Sequence, residues 1–530
     1  MNVTRQAAVG GVFSIVAGLA HAASMGTPWD AQPSGWLQLL ALGALIWQLS
    51  HCETPKQAAW SGWLFTTAWL CGTFWWLYIS MHTYGGLNAV LTVISIFALG
   101  SLLALYYAAA CAAYVYLRFA NQALSSLLFA GLWTMAEMCR GTWFTGFGWG
   151  AAGYAHIDGM AVLAKYVGAY GVATLAAWAA WWLVELVRSF GKRLARVAEN
   201  RAQRKVVDLG LLRAAMPLMI LAFVTVVTQR EFSKSTGALE VALLQGNIAQ
   251  DEKFQPGSGI ADSLRWYGDQ IVGSKAALVV APETAIPLLP KQLPEGYWEG
   301  LTKPFESGTQ ALLVGIPLGS YTEGYTNSVM GVHAGNPYQY DKHHLVPFGE
   351  FIPQMFKWFT QMMNIPLGDF NRGGVGQPSF EVQGQRLAPN ICYEDLFGEE
   401  LGARFADPAK SPTIFVNVSN IGWFGNTVAI DQHLTISRMR AIEFERPFIR
   451  ATNTGATVII DHTGRVTHSL PRHTRGVLTA QVQGRGGSVE NGFGLTPFAH
   501  WVSRFGLWPY WLLGITTVLI AVWRKQIRNV

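Results

Sequence analysis

The chain reads as a multi-span α-helical membrane bundle joined to an α/β domain. Three observations predict this. Long apolar runs recur through the first 230 residues and once more near the C-terminus. Between about 238 and 484, short β-branched runs alternate with polar helical stretches, the texture of α/β layers. The 530 residues are 51% hydrophobic, only 13% charged and carry 22 tryptophans, which suits a chain part membrane and part globular.

Apolar runs fall near 6–24, 35–50, 58–80, 88–117, 122–138, 160–187, 209–228 and 505–523. Each approaches the roughly 20 residues needed to cross a bilayer core. The run 88–117 is long enough to tilt. Arg5 followed by an apolar stretch and Ala20-His21-Ala22 also fits a signal peptide. In both readings the chain emerges on the outer face after this run.

Orientation follows the Lys/Arg bias. The most basic loop, Arg188 to Arg196 with Arg201, Arg204 and Lys205, lies between the sixth and seventh runs and should be cytoplasmic. The parity puts residues 238–484 outside, and the basic tail Arg524-Lys525-Gln526-Ile527-Arg528 inside after an eighth span at 503–530. Residues 1–230 are expected as seven spans.

Charges inside spans are few: Glu137, Lys165 and Glu185. Each costs at least about 2.5–3.5 kcal/mol at mid-membrane, so each invites a functional reading beside the bland one of an interfacial charge. The loop 140–159 is rich in glycine and aromatics, Trp149 among them. It reads as an interfacial belt or as part of a mouth for lipid.

In the α/β region the candidate strands are Leu239–Gln245, Ala277–Ala281, Ala311–Ile316, Ser328–His333, Leu387–Cys392, Thr413–Val418, Ile449–Asn453 and Thr457–Asp461. Helices are expected at 258–273 and 430–444. The cysteines are Cys52, Cys71, Cys111, Cys139 and Cys392, with no spacing that suggests a metal site. Only Cys392 lies outside the apolar half, at a strand end beside Tyr393 and Glu394. In an oxidising space a lone cysteine there reads as a nucleophile that becomes acylated.

Such a nucleophile needs a base and an oxyanion stabiliser. Glu283 follows a strand in Val279-Val280-Ala281-Pro282-Glu283, and Lys342 follows another in Tyr340-Asp341-Lys342. In a layered α/β fold, strand ends so separated can converge on one edge. His343 and His344 tempt as bases, but adjacent side chains on an extended segment point opposite ways, and they read as structural or exposed.

Glu after a Pro, Lys342 in Lys-x-x-Leu-Val-Pro-Phe-Gly-Glu, and Ile391-Cys392-Tyr393-Glu394 resemble the Glu–Lys–Cys motifs of the nitrilase superfamily. The Leu-Val-Pro-Phe-Gly-Glu form, framed by membrane spans, resembles its membrane-embedded branch, the apolipoprotein N-acyltransferases. Gln245-Gly246-Asn247-Ile248 and Asn417-Val418-Ser419-Asn420 with Gly422-Trp423-Phe424-Gly425 add to the likeness. Two departures stand out: Ile421 replaces an acidic residue and Phe254 replaces a tryptophan.

The resemblance implies a nitrilase-like αββα sandwich and a ping-pong N-acyltransferase of lipoprotein biosynthesis. The donor would be a phospholipid and the acceptor the N-terminal amine of a diacylglyceryl-cysteine apolipoprotein. It implies Glu283, Lys342 and Cys392 as catalytic residues. Glu350, Glu394 and Tyr393 would support them, and Trp423, Phe254 and Trp149 would be candidates for substrate binding. No cofactor, metal or nucleic acid is expected, and a monomer suffices. The rival readings are a membrane-anchored amidase acting on a carbon–nitrogen bond, and a transporter or scaffold with an inactive domain.

The run 351–370 holds nine large apolar residues from Phe351 to Ile365, with Lys357 the only charge before Asp369. A soluble domain would not expose it. It reads as an arm dipping into the outer leaflet or as a core helix.

Overall fold

The computed structural model describes residues 3–199, 208–320, 322–352 and 370–528. The apolar run expected as an arm lies, for residues 353–369, outside the described residues. The chain forms two compact units: Met1–Trp75, Val93–Arg230 and Leu507–Val530 make a helical one, Trp76–Thr92 and Glu231–Gly506 a sheet-bearing one.

The helical unit is built from α1 (Val3–Ala23), α2 (Gly35–Ser50), α3 (Pro55–Phe74), α4 (Ala89–Leu117), α5 (Gln122–Thr142), α6 (Ala164–Glu199), α7 (Leu209–Val227) and a last helix, Trp508–Arg528. Local chemistry sets several starts. Thr54 and Gln57 form a capping box ahead of Pro55. Asn121 caps α5 and Asp208 caps α7 through their side chains. Among the described residues three helices are long and apolar enough to cross a membrane (Ala89–Leu117, Met160–Arg196, Leu209–Val227), and four if Pro497–Phe505 and Trp508–Ile527 form one span. Val12, Leu102, Phe223 and Leu519 stand exposed on these helices. Water would reject such faces and lipid accepts them, as in a multi-pass membrane protein.

Charges inside this unit have structural partners. The Glu137 carboxylate accepts from the Ala152 N–H at 2.8 Å. Lys165 donates to the Arg230 carbonyl at 2.5 Å. Glu185 accepts from Gln122 at 2.6 Å. Arg140 donates to the carbonyls of Phe147 and Trp149 at 2.6 and 2.8 Å, which folds the loop back on α5. Trp143 and Phe144 are exposed, as an interfacial belt requires, but Trp149 is buried.

One expected run is not a single helix. The apolar stretch 58–80 stops as a helix at Phe74, and Trp76–Thr92 packs with the sheet unit, including a π-helical turn Ile79–Tyr84. The indole Nε1 of Trp76 donates to Gln432 at 3.0 Å, and its ring lies 4.4 Å from that of Phe424. Hydropathy could not see this, because a buried tryptophan and a lipid-facing one look alike in sequence.

Among the described residues the sheet unit holds twelve strands: β1 (Lys234–Gln245), β2 (Leu278–Val280), β3 (Ala311–Ser320), β4 (Gly324–His333), β5 (Asn336–Asp341), β6 (Phe380–Val382), β7 (Gln385–Ile391), β8 (Ile414–Ser419), β9 (Phe448–Thr452), β10 (Val458–Ile460), β11 (Val466–Ser469) and β12 (Gly476–Gly486). The expected strands are all present. The sequence reading missed β5, β6, β11 and β12, which are the edge strands of the two sheets. Two six-stranded sheets result, ordered β12-β1-β2-β3-β4-β5 and β11-β10-β9-β8-β7-β6. The centre of each is parallel, β1-β2-β3 in one and β7-β8-β9 in the other.

Period-two alternation explains the layers. Leu278, Val280, Leu313, Ile391, Val416 and Val418 point into one core between the sheets. The intervening Val279, Ala281, Leu312 and Val314 face α8 (Gly259–Gly273) and α9 (Tyr297–Glu306). Ala388, Phe415, Phe448 and Val458 face the helices Ala429–Phe444 and Pro497–Phe505. Sheets covered on both faces carry near-continuous apolar strands, as these do. The architecture is a nitrilase-like αββα sandwich accompanying a membrane helical region.

Candidate active site

Three strand ends supply the central side chains. Glu283 follows β2, Lys342 follows β5, and Cys392 follows β7. Two backbone positions here are strained: Cys392 has φ of 52° and Thr284 has φ of 49°, a region that residues with side chains rarely adopt. At Cys392 the left-handed turn breaks the strand abruptly and leaves the residue part-exposed after a fully buried β7 terminus.

Glu283 is clasped from several sides. Its Oε1 accepts from Asn327 Nδ2 at 2.7 Å and lies 3.3 Å from Lys342 Nζ, and its Oε2 accepts from the Asn420 N–H at 2.8 Å. Lys342 is only 1% exposed and also meets Glu350 at 2.9 Å. Glu350 accepts in turn from Asn327 at 2.6 Å and from the Val346 N–H at 2.8 Å, which ties the loop after β5 to the ammonium it carries.

Electrostatics follow from this crowding. Burial pushes the Glu283 carboxyl up, but Lys342, Asn327, Lys253 and the Asn420 N–H outweigh it and hold it below the usual carboxylate range. Burial lowers Lys342, but Glu350 and Glu283 overcome that and raise it, so it stays charged. Burial pushes the Cys392 thiol up to about 12, with Glu283 and Glu350 adding and Lys342 opposing. A thiol so raised reacts only when a base takes its proton in the same step.

Glu394 does a different job from Glu350. Its Oε2 accepts from Tyr340 Oη at 2.8 Å and the Ile391 N–H at 2.6 Å, and its Oε1 from the N–H groups of His343 and His344 at 2.7 and 3.2 Å. One carboxyl thus ties the end of β7, before Cys392, to the backbone after Lys342. His343 and His344 both turn to Glu400, at 4.0 and 2.9 Å, rather than to opposite sides. Tyr393 is buried, with its ring 5.2 Å from that of Phe397.

Beneath Cys392 lies a buried network that the sequence reading missed. The Cys392 carbonyl accepts from Asn417 Nδ2 at 3.0 Å and lies 3.2 Å from His433 Nε2, which is 2.9 Å from Asp395. Arg450 reaches His433 Nδ1 at 3.0 Å and also meets Asp395 and Ser437. Arginine only donates, so Nδ1 accepts and the proton sits on Nε2, where it serves both the carbonyl and the carboxylate. No spacing rule links Asp395, His433 and Arg450. Asn327 and Lys253 also escaped notice, since Asn327 lies between Thr326 and Ser328 and reads as one more polar strand residue.

Around the site, Trp423 and Phe254 are each 37% exposed, and the Tyr84 ring meets Trp423 edge-on at 5.9 Å. Ile421, where an acidic residue was expected, is buried in the outer core. Trp149 belongs to the helical unit. No group of three metal-ligating side chains occurs among the described residues.

Comparison with known proteins bears on the whole chain. Residues 21–191 match the apolipoprotein N-acyltransferase N-terminal domain, and residues 240–490 match the carbon-nitrogen hydrolase family. An apolipoprotein N-acyltransferase from Verminephrobacter eiseniae is 54% identical over 518 residues, covering 93% of each chain.

The chain belongs to the apolipoprotein N-acyltransferase family.

A second such N-acyltransferase, from Ralstonia nicotianae, is 41% identical over 93% of this chain and 90% of its own. A carbon-nitrogen hydrolase structure from Helicobacter pylori matches 52% of this chain and 94% of its own at 18% identity and a TM-score of 0.35. As an N-acyltransferase family member the chain is an enzyme of the nitrilase superfamily type and a multi-pass membrane protein consistent with the bacterial inner membrane. Its chemistry is acyl transfer consistent with lipoprotein N-acylation.

Proposed function

We propose that the enzyme moves an acyl chain from a phospholipid onto Cys392 and then onto the α-amine of a diacylglyceryl-cysteine at an apolipoprotein N-terminus. One observation carries this reading. Glu283 and Lys342, from separate strand ends, meet at 3.3 Å, and both act electrostatically on the Cys392 thiol.

In the first half-reaction Glu283 takes the thiol proton as sulfur attacks the ester carbonyl. Lys342 stabilises the oxyanion, a contribution on the order of 3–4 kcal/mol for one donor. The ester C–O bond breaks, and Glu283 returns the proton to the leaving alkoxide. A thioester and a lysophospholipid result. In the second half-reaction the amine attacks the thioester, the S–C bond breaks, and an amide forms. Glu283 accepts the ammonium proton and passes it to the departing thiolate. Glu350 keeps Lys342 in register, and Glu394 keeps the Lys342 and Cys392 backbones in register. Trp423 and Phe254 would border the entering chains.

The membrane arrangement in this reading has residues 1–230 as seven spans, the region 238–484 on the periplasmic face, and an eighth span leading to a cytoplasmic tail. An acyl chain then need not cross water, which would cost about 0.8 kcal/mol per methylene.

The test is an intact-mass measurement. Protein incubated with phospholipid alone should gain one acyl chain that hydroxylamine removes, and Cys392→Ala should gain none. A diacylated lipopeptide with a free amine should discharge the adduct. Rapid discharge by water alone would instead favour an amidase.

A further inference from the structure

One buried cation is left out of the mechanism above. Lys253 is 1% exposed, as deeply enclosed as Lys342. Its ammonium donates to the Glu283 carbonyl oxygen at 3.1 Å and to Thr284 Oγ1 at 3.3 Å. Both acceptors are neutral. A buried ammonium that meets only neutral oxygens is expensive to keep, and burial pulls it down to about 8 although Glu283 and Cys392 act to raise it.

Charge bookkeeping shows what it offsets. Lys342 is shared between Glu283 and Glu350, and Glu350 is the nearer at 2.9 Å against 3.3 Å. Glu283 therefore holds only part of one countercharge. The groups facing it are Lys342, Asn327, the Asn420 N–H, Lys253 and the Cys392 thiol, with Glu350 beyond the shared ammonium. Lys253 approaches through Glu283's own carbonyl and through the neighbouring Thr284, whose backbone is left-handed at φ of 49°.

We propose that Lys253 is a positioning residue for the reaction: its ammonium pins the Glu283–Thr284 turn and supplies the second positive charge that keeps the Glu283 carboxylate ready to take the Cys392 proton. The inference rests on the reading of Glu283 as the base. It assigns two lysines to one carboxylate, Lys342 at the carboxylate oxygens and Lys253 at the backbone behind them.

The experiment is the pH dependence of thioester formation by the full-length detergent-solubilised enzyme. The donor is an equimolar mixture of phosphatidylethanolamine and phosphatidylglycerol in micelles, read by intact mass in a single turnover. Lys253→Met should move the acid limb of the rate profile to higher pH by about one unit. It should also slow thioester formation at neutral pH about tenfold or more. Lys253→Arg should return the limb most of the way toward wild type, because the charge is restored. Should Lys253→Met not fold, the Lys253→Arg and Lys253→Gln pair carries the same comparison of charge at similar reach. A limb that stays put in the neutral variants, even with a lowered melting temperature, overturns the proposal and leaves Lys253 a structural residue. Glu283→Gln separates the two readings. If that variant still forms thioester at the wild-type rate, Glu283 is not the base. If it forms none while Lys253→Met behaves as wild type, only the role of Lys253 falls.

Discussion

Glu350 lies nearer the Lys342 ammonium, at 2.9 Å, than Glu283 does, at 3.3 Å. The same Glu350 oxygen accepts from Asn327, and the other accepts from the Val346 N–H. Glu350 is thus the nearer anchor of the cation, while Glu283 is fixed chiefly by Asn327 and the Asn420 N–H. Glu350→Gln should remove a charge-assisted hydrogen bond of about 1.5–3 kcal/mol. That corresponds to roughly a ten- to hundredfold slower thioester formation. Single-turnover mass measurements read this directly. An unchanged rate would assign the pair to stability alone.

Lys342→Met should lower acylation of Cys392 by about 10²–10³-fold if its ammonium faces the developing oxyanion. Lys342→Arg should not restore it, because a planar fork does not fit a slot shaped for a compact ammonium between two carboxylates. Recovery with arginine would point to simple charge balance.

The pH profile carries a sign. Glu283 is held below the ordinary carboxylate value of 4.5 because Lys342, Asn327, Lys253 and the Asn420 N–H outweigh burial. A base works only when unprotonated, so acylation should persist as pH falls to the ordinary carboxylate value and fail only below it. An acid limb lying well above 4.5 would mean that burial dominates instead.

The network under Cys392 should govern acid stability. Burial lowers His433, with Arg450 adding to that effect and Asp395 opposing it. The unfolded chain therefore binds this proton first, and stability should start to fall as pH drops below the ordinary value of 6.5. Burial raises Asp395, but His433, Arg450 and Ser437 outweigh it and lower it. Its contribution is present above the ordinary 3.8 and is lost as pH falls through the lower folded value. Melting temperatures between pH 7 and 5 should decline for the wild type and decline less steeply for His433→Gln. Parallel slopes would count against this linkage.

Trp76 lies outside the sheet-forming sequence yet inside the sheet unit, where its indole bonds Gln432 at 3.0 Å. Trp76→Ala should destabilise by about 3–5 kcal/mol. Trp76→Phe should retain most of the packing and lose the hydrogen bond, about 0.5–1.5 kcal/mol. Differential scanning fluorimetry of the two variants checks the order. Equal losses would mean that the hydrogen bond outweighs the packing.

Period and composition alone determined much about this protein. Apolar runs mark the helices because a lipid-facing helix needs nothing but length and hydropathy. The strands Leu239–Gln245 and Thr413–Val418 are legible because both faces are largely buried, so apolar residues run nearly unbroken. The strand-end placement of Glu283 and Cys392 is equally local, since each follows an apolar run, whereas the strand before Lys342, Asn336–Asp341, is polar. Tertiary structure decided what surrounds them. Asn327 comes from β4, Lys253 from the loop after β1, and His433 and Arg450 from a helix and a strand far along the chain. Their roles depend on distances of about 3 Å between residues 17 to 44 positions apart. Neither periodicity nor spacing encodes such contacts. The same holds for Trp76, which ends the apolar run 58–80 but whose partners are Gln432 and Phe424. Hydropathy measures what a side chain avoids, and only the folded chain settles what it meets.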